Sequence, residues 1–122
     1  MHLDDRVRLQ HMLDAAQTAR SFAAGENRQS LNGDQKLVFA LVRAIEIIGE
    51  ATSKVTDDSR KQYSQIPWSQ IIGMRNRIIH AYFDVDLDQV WSTVGDDLPP
   101  LIEELGSILA ENQIDSENNG TV

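Results

Sequence analysis

Apolar residues recur at three- and four-residue spacing along most of this chain, and that spacing predicts helices. Leu9, Met12, Leu13, Ala16 and Ala23 form the first stripe, over a helix from about Leu3 to Ala24 that Gly25 is placed to end. Residues Glu26 to Asp34 are polar, with Asn32, Gly33 and Asp34 supplying turn and N-cap chemistry. Val38, Leu41, Val42, Ile45, Ile48, Gly49 and Thr52 then make the strongest stripe, over a second helix from about Gln35 to Lys54. Gly49 on that helix would allow another helix to come close. Val55 to Ile66 reads as a polar connector with one short turn at Asp58 to Tyr63. Pro67 suits the first position of a third helix, running to Ala81. Leu87, Val90, Trp91 and Val94 begin a fourth stripe, and Leu98, Leu101, Ile102, Leu105, Ile108 and Leu109 resume it. Pro99 and Pro100 predict a kink or restart between Gly95 and Pro100. No alternating pattern predicts a strand. The fold class is all-α: an antiparallel up-and-down bundle of four main helices, the last kinked or split, over residues 1–111. Residues 112–122 are a polar tail expected to be disordered.

One stretch departs from this pattern. Gln70 to Asp86 sets Arg75, Asn76, Arg77, His80 and Tyr82 within an otherwise apolar run of isoleucine, methionine, phenylalanine and valine. Burying such groups unpaired costs several kcal/mol. On a helix, Asn76 and His80 are an i,i+4 pair, and Arg75 and Tyr82 share the neighbouring stripe. The polar groups then collect at one end of the third helix while the isoleucines pack inward.

Composition narrows the chemistry. At 122 residues the chain is one domain with room for a core. It has no cysteine and only His2, His11 and His80, so neither a disulfide framework nor a thiolate or histidine-rich metal centre is expected. No metal or cofactor is assigned. No membrane span or signal peptide is read, and the expected compartment is the cytoplasm. The net charge of -8 hides an asymmetry, because no Lys or Arg follows Arg77. An acidic chain is a poor non-specific nucleic-acid binder, yet it can still hold a polyanion at a local basic cleft.

Each feature also has a plain structural reading. His80, Arg75 and Arg77 suit the negative end of a helix dipole, and Tyr82 suits a core. Glu46 and Glu50 can pair with Arg43 or Lys54 along one helix. His2 and His11 belong to a solvated face. Trp68 and Trp91 lie in apolar stripes and read as core anchors.

Arg75-Asn-Arg-Ile-Ile-His80-Ala-Tyr82 has the form Arg, four residues, His, one residue, Tyr. It resembles the signature of the HepT-like ribonuclease toxins, members of the HEPN helical-bundle superfamily. Arg43-Ala-Ile-Glu-Ile-Ile-Gly-Glu50-Ala, Ile66-Pro67-Trp68, the Phe83-Asp-Val-Asp86 exit and Leu98-Pro-Pro100 resemble further landmarks of that family, in order. The resemblance spans most of residues 3–111. It implies a homodimer whose motif helices meet at the interface, with metal-independent RNA cleavage there. It also implies a partner, a minimal nucleotidyltransferase antitoxin that transfers AMP to the motif tyrosine, here Tyr82.

The residue types suit that chemistry. Cleavage by 2′-hydroxyl attack needs a base, an acid and a cation for the charged phosphorane. Histidine, with an ordinary pKa of about 6.5, serves in either protonation state, which makes His80 the expected acid–base. Arg75, with a planar fork that grips two phosphate oxygens, is the expected stabilising cation, and Asn76 and Arg77 support substrate binding. One chain supplies one histidine at the cluster, and a two-fold dimer supplies two. Two other readings use the same residues: a non-catalytic HEPN module that binds nucleotide or a nucleotidyltransferase, and a structural dimerisation bundle.

Overall fold

Three long helices carry the architecture. In the computed structural model, α1 spans Leu3–Ala23 and α2 spans Gln35–Ser53, and α7 spans Leu98–Gly120. The structure describes residues 1–81 and 84–120, with backbone alone for His80, Ala81 and residues 113–120. α1 lies against both α2 and α7, and the short elements between them close the other side of α2. Leu9, Met12, Leu41, Ile45, Ile48, Ile71, Ile78, Val90, Leu98 and Leu105 form the centre of the core, each essentially inaccessible to solvent. The all-α bundle and the two strongest stripes therefore stand as expected. Among the described residues no helix is long and apolar enough to cross a membrane.

Local chemistry sets the helix ends. Gly25 adopts φ +77°, the left-handed conformation that favours glycine, just beyond α1. A 3₁₀ turn at Arg28–Asn32 follows, capped reciprocally by Asn27 and Ser30, and it buries Leu31. The Asp34 carboxylate accepts from the backbone N–H of Leu37 and starts α2. The connector after α2 is more ordered than its polarity suggests. It holds α3 (Asp57–Gln62), and Val55, Tyr63 and Ile66 around it are buried.

The third helix is not continuous. It divides into α4 (Trp68–Ile72) and α5 (Met74–Ile78) on either side of Gly73. The chain then leaves helical geometry altogether, with Ile79 at φ -118°, ψ 103°. Residues Ile79–Ala81 form strand β1, which pairs antiparallel with β2 (Asp84–Val85). The expected helix to Ala81 is thus corrected, as is the expectation of no strand. Ile79 and Val85, which pair across the ladder, are β-branched, a type that favours extended backbone. A 2.7 Å bond from the Asp86 N–H to the Ile78 carbonyl satisfies the end of α5 from across this ladder.

The last helix begins as α6 (Leu87–Ser92), with Asp86 capping the Gln89 N–H. The expected kink is a π turn at Thr93–Asp97 that runs straight into α7. Pro99 brings no N–H, so the Val94 carbonyl five residues earlier lacks its π-register donor. Arg20 of α1 donates to that carbonyl instead, at 3.4 Å. The helical backbone continues to Gly120.

Candidate active site

The described motif residues sit where four elements meet. Gly49 of α2 faces α4 so closely that a Cβ there would lie 3.6 Å from the Ile71 carbonyl and 3.8 Å from that of Ile72. This bears out the close approach expected at Gly49, and it brings α5 alongside the middle of α2. Ile71, Met74 and Ile78 turn into the core and leave Arg75, Asn76 and Arg77 exposed.

Arg75 turns towards α2, and its Nε lies 3.5 Å from Oε2 of Glu46. This ion pair replaces the expected pairing of Glu46 with its neighbours along α2; Glu50 does pair with Lys54, at 3.9 Å. Glu46 approaches Arg75 through Nε, and neither Nη makes a hydrogen bond among the described residues. Among the described residues, the two terminal amino groups are thus open as a fork for an anion. Arg77 is two residues on, about 200° around a helix, and it goes the other way. Its Nη1 donates to the Gln70 carbonyl at 3.0 Å and lines a cleft of about 460 Å³ beside Asp96, Asp97 and Glu104. The two motif arginines therefore do not converge within one chain. Asn76 makes no hydrogen bond among the described residues.

His80 lies on β1 rather than on the helix. The expected Asn76–His80 pairing on one helical face is corrected accordingly, because the two residues belong to different elements. The side chain of His80, and Tyr82 entirely, lie outside the described residues. Glu46 is the functional candidate that the motif alone did not indicate. Its sequence signal was the carboxylate on α2, and its partner became visible only in the tertiary contact. Among the described residues no three His, Asp or Glu side chains gather as metal donors would.

The site is a broken helix in an all-α bundle that presents an exposed arginine beside a carboxylate, and comparison with known proteins gives the family. The family model for HepT-like ribonucleases ("Ribonuclease HepT-like") matches residues 12–108. The chain belongs to that family. It is 46% identical over 68 residues to "Probable ribonuclease HepT" of Thermococcus cleftensis, covering 56% of this chain and 62% of the relative. It is 32% identical over 122 residues to "Gamma-glutamylcyclotransferase and putative RNase MJ0434" of Methanocaldococcus jannaschii, covering all of this chain and 55% of that protein. It is 30% identical over 102 residues to "Putative RNase MJ1380" of the same organism, covering 84% of this chain and 94% of the relative. The chain thus spans less than two thirds of the first two relatives and nearly all of the third. No solved structure matches it.

Proposed function

We propose that this protein is an endoribonuclease that cleaves RNA without metal, by attack of the 2′-hydroxyl on the adjacent phosphate. The observation that carries this reading is Arg75, exposed and held at Nε by Glu46, with neither Nη group hydrogen-bonded among the described residues. In the proposed step an imidazole takes the proton of the 2′-hydroxyl, and the 2′-oxygen bonds to phosphorus. The bond to the 5′-oxygen breaks as an imidazolium protonates it, leaving a 2′,3′-cyclic phosphate and a free 5′-hydroxyl. Arg75 stabilises the charge on the phosphorane between these events. His80 of each protomer in a homodimer supplies the base and the acid, so the active site is composite. Asn76 and Arg77 support substrate binding; because Arg77 faces away from Arg75 in one chain, it acts from a separate part of the dimer surface.

In this reading the protein is the toxin of a toxin–antitoxin pair. Its partner is a minimal nucleotidyltransferase that silences it by transferring AMP to Tyr82. The phenol oxygen attacks the α-phosphorus of ATP, pyrophosphate leaves, and the phenolic proton passes to solvent. The attached phosphate then competes with RNA for the motif cations.

The test is incubation of the pure protein with RNA in EDTA, followed by identification of the product end groups. Cyclic phosphate ends are expected, and His80→Ala and Arg75→Ala should each remove activity by about 10²-fold or more. Cleavage abolished by the chelator, or undiminished in His80→Ala, would overturn the mechanism. Tyr82→Phe should retain cleavage and escape silencing by the transferase with ATP.

A further inference from the structure

We propose that the trough between α1 and α2 is a binding surface for single-stranded RNA, holding its phosphodiester backbone on Arg8 and Arg43. This rests on the ribonuclease reading above and assigns its substrate a path outside the motif. Two adjoining clefts, of about 400 and 230 Å³, run between the helices and share His11, Arg43 and Ile47. They form one trough, from Phe22 and Ala40 at one end to Arg8 and Lys54 at the other. Residues 40 to 53 of α2 span about 20 Å at 1.5 Å per residue, room for several nucleotides of a single strand.

The charges point to an anion. Most Lys and Arg side chains of this acidic protein are engaged: Arg20, Arg28, Arg60 and Arg77 donate hydrogen bonds, and Lys54 and Arg75 have ion-pair partners. Arg8, Lys36, Arg43 and Lys61 have no hydrogen bond or ion pair among the described residues. Arg8 and Arg43 line this trough, and Lys36 lies two turns before Arg43 on the same face of α2. Two carboxylates are also present. Asp14 accepts from Gln10 at 2.8 Å, and Glu50 is taken by Lys54. Among the described residues Arg8 and Arg43 have no such partner.

Two exposed aromatic side chains lie at or near one end of the trough. Phe22 lines the trough at 46% exposure, and Phe39, one turn before Arg43, is 65% exposed. A phenyl face in water is costly unless something covers it, and bases stack on such faces whatever their sequence. Cations along the trough and exposed aromatics at one end of it are groups that hold a single strand. The path also leads to the motif, because Arg43 precedes Glu46, the partner of Arg75, by three residues on α2.

The experiment is fluorescence anisotropy with a labelled 2′-O-methyl oligonucleotide of about twelve nucleotides, titrated at several salt concentrations. This probe cannot be cut, so a parent protein without ribonuclease activity would refute the ribonuclease reading while leaving the binding measurement intact. The Arg8→Ser/Arg43→Ser double variant should bind at least about fivefold more weakly. Its slope of log affinity against log salt should be shallower by about 0.7 for each phosphate contact removed. Phe39→Ala should weaken binding with the slope unchanged, and Arg43→Lys should restore most of the slope. Unchanged affinity and slope in the double variant would overturn the proposal. A change of oligomeric mass in that variant by light scattering would overturn it too, by making the trough a contact between copies of the chain.

Discussion

Asp5 is buried in the first turn of α1, yet it is a carboxylate, and its partners say what removing it will do. Its Oδ1 accepts from the Thr56 N–H at 3.1 Å, and its Oδ2 accepts from the hydroxyls of Thr56 and Ser59, each at 2.6 Å. It therefore joins α1 to the start of α3, more than fifty residues away in the chain. Burial on its own would raise the pKa of Asp5, but the hydrogen bonds from Ser59 and Thr56 outweigh it, with His2 adding to them, and the pKa is lowered. A lowered folded-state pKa means that the stabilisation is present above the unfolded value of about 3.9 and is lost as pH falls through the folded value. Asp5→Asn keeps the shape but replaces one acceptor oxygen with a donor and removes the charge from the remaining bonds. Hydrogen bonds to a charged group contribute about 1.5–3 kcal/mol each, and the solvent-exposed Thr56 recovers part of its share from water. A loss of about 2 kcal/mol is expected, or on the order of 5–10 °C in Tm for a chain of this size. Thermal unfolding followed by circular dichroism between pH 3 and 7 reads both effects. Asn should lower Tm at pH 7 and flatten the fall of stability at acid pH. An unchanged Tm with an unchanged acid limb would refute the assignment.

Other perturbations separate the site from its frame. Glu46→Ala should reduce RNA cleavage by roughly tenfold by freeing Arg75, with Glu46→Gln recovering part of it at unchanged Tm; equal activity in all three would remove Glu46 from the site. Gly49→Ala should stabilise α2 by about 0.5–1 kcal/mol, since its Cβ meets the Ile71 carbonyl at an ordinary contact distance. Gly49→Leu should push α4 away and lower both Tm and cleavage. Trp68→Phe should cost about 1–2 kcal/mol in urea unfolding, because the indole N–H donates to the Arg60 and Tyr63 carbonyls at 3.0 and 3.1 Å.

Much of this protein can be read along the chain, because helical periodicity is a local property. The stripe from Val38 to Thr52, the caps at Asp34 and Asp86 and the stop at Gly25 all follow from side chains within a few positions of where they act. The Arg75 to Tyr82 motif and the resemblance it carries were equally legible, since they depend on spacing alone. The hairpin was not. Around Ile79 helical spacing and β-branched propensity disagree, and the Asp86 N–H on the Ile78 carbonyl lies on the side of the extended chain. Nor could the partner of Arg75 be read from the sequence. Glu46 is 29 positions earlier, and whether it meets Arg75 or Arg43 depends on how closely α4 approaches Gly49. Position in the chain supplies the groups capable of chemistry. Which of them are held and which left free is decided by contacts between distant segments, whose energies exist only once the core has brought those segments together.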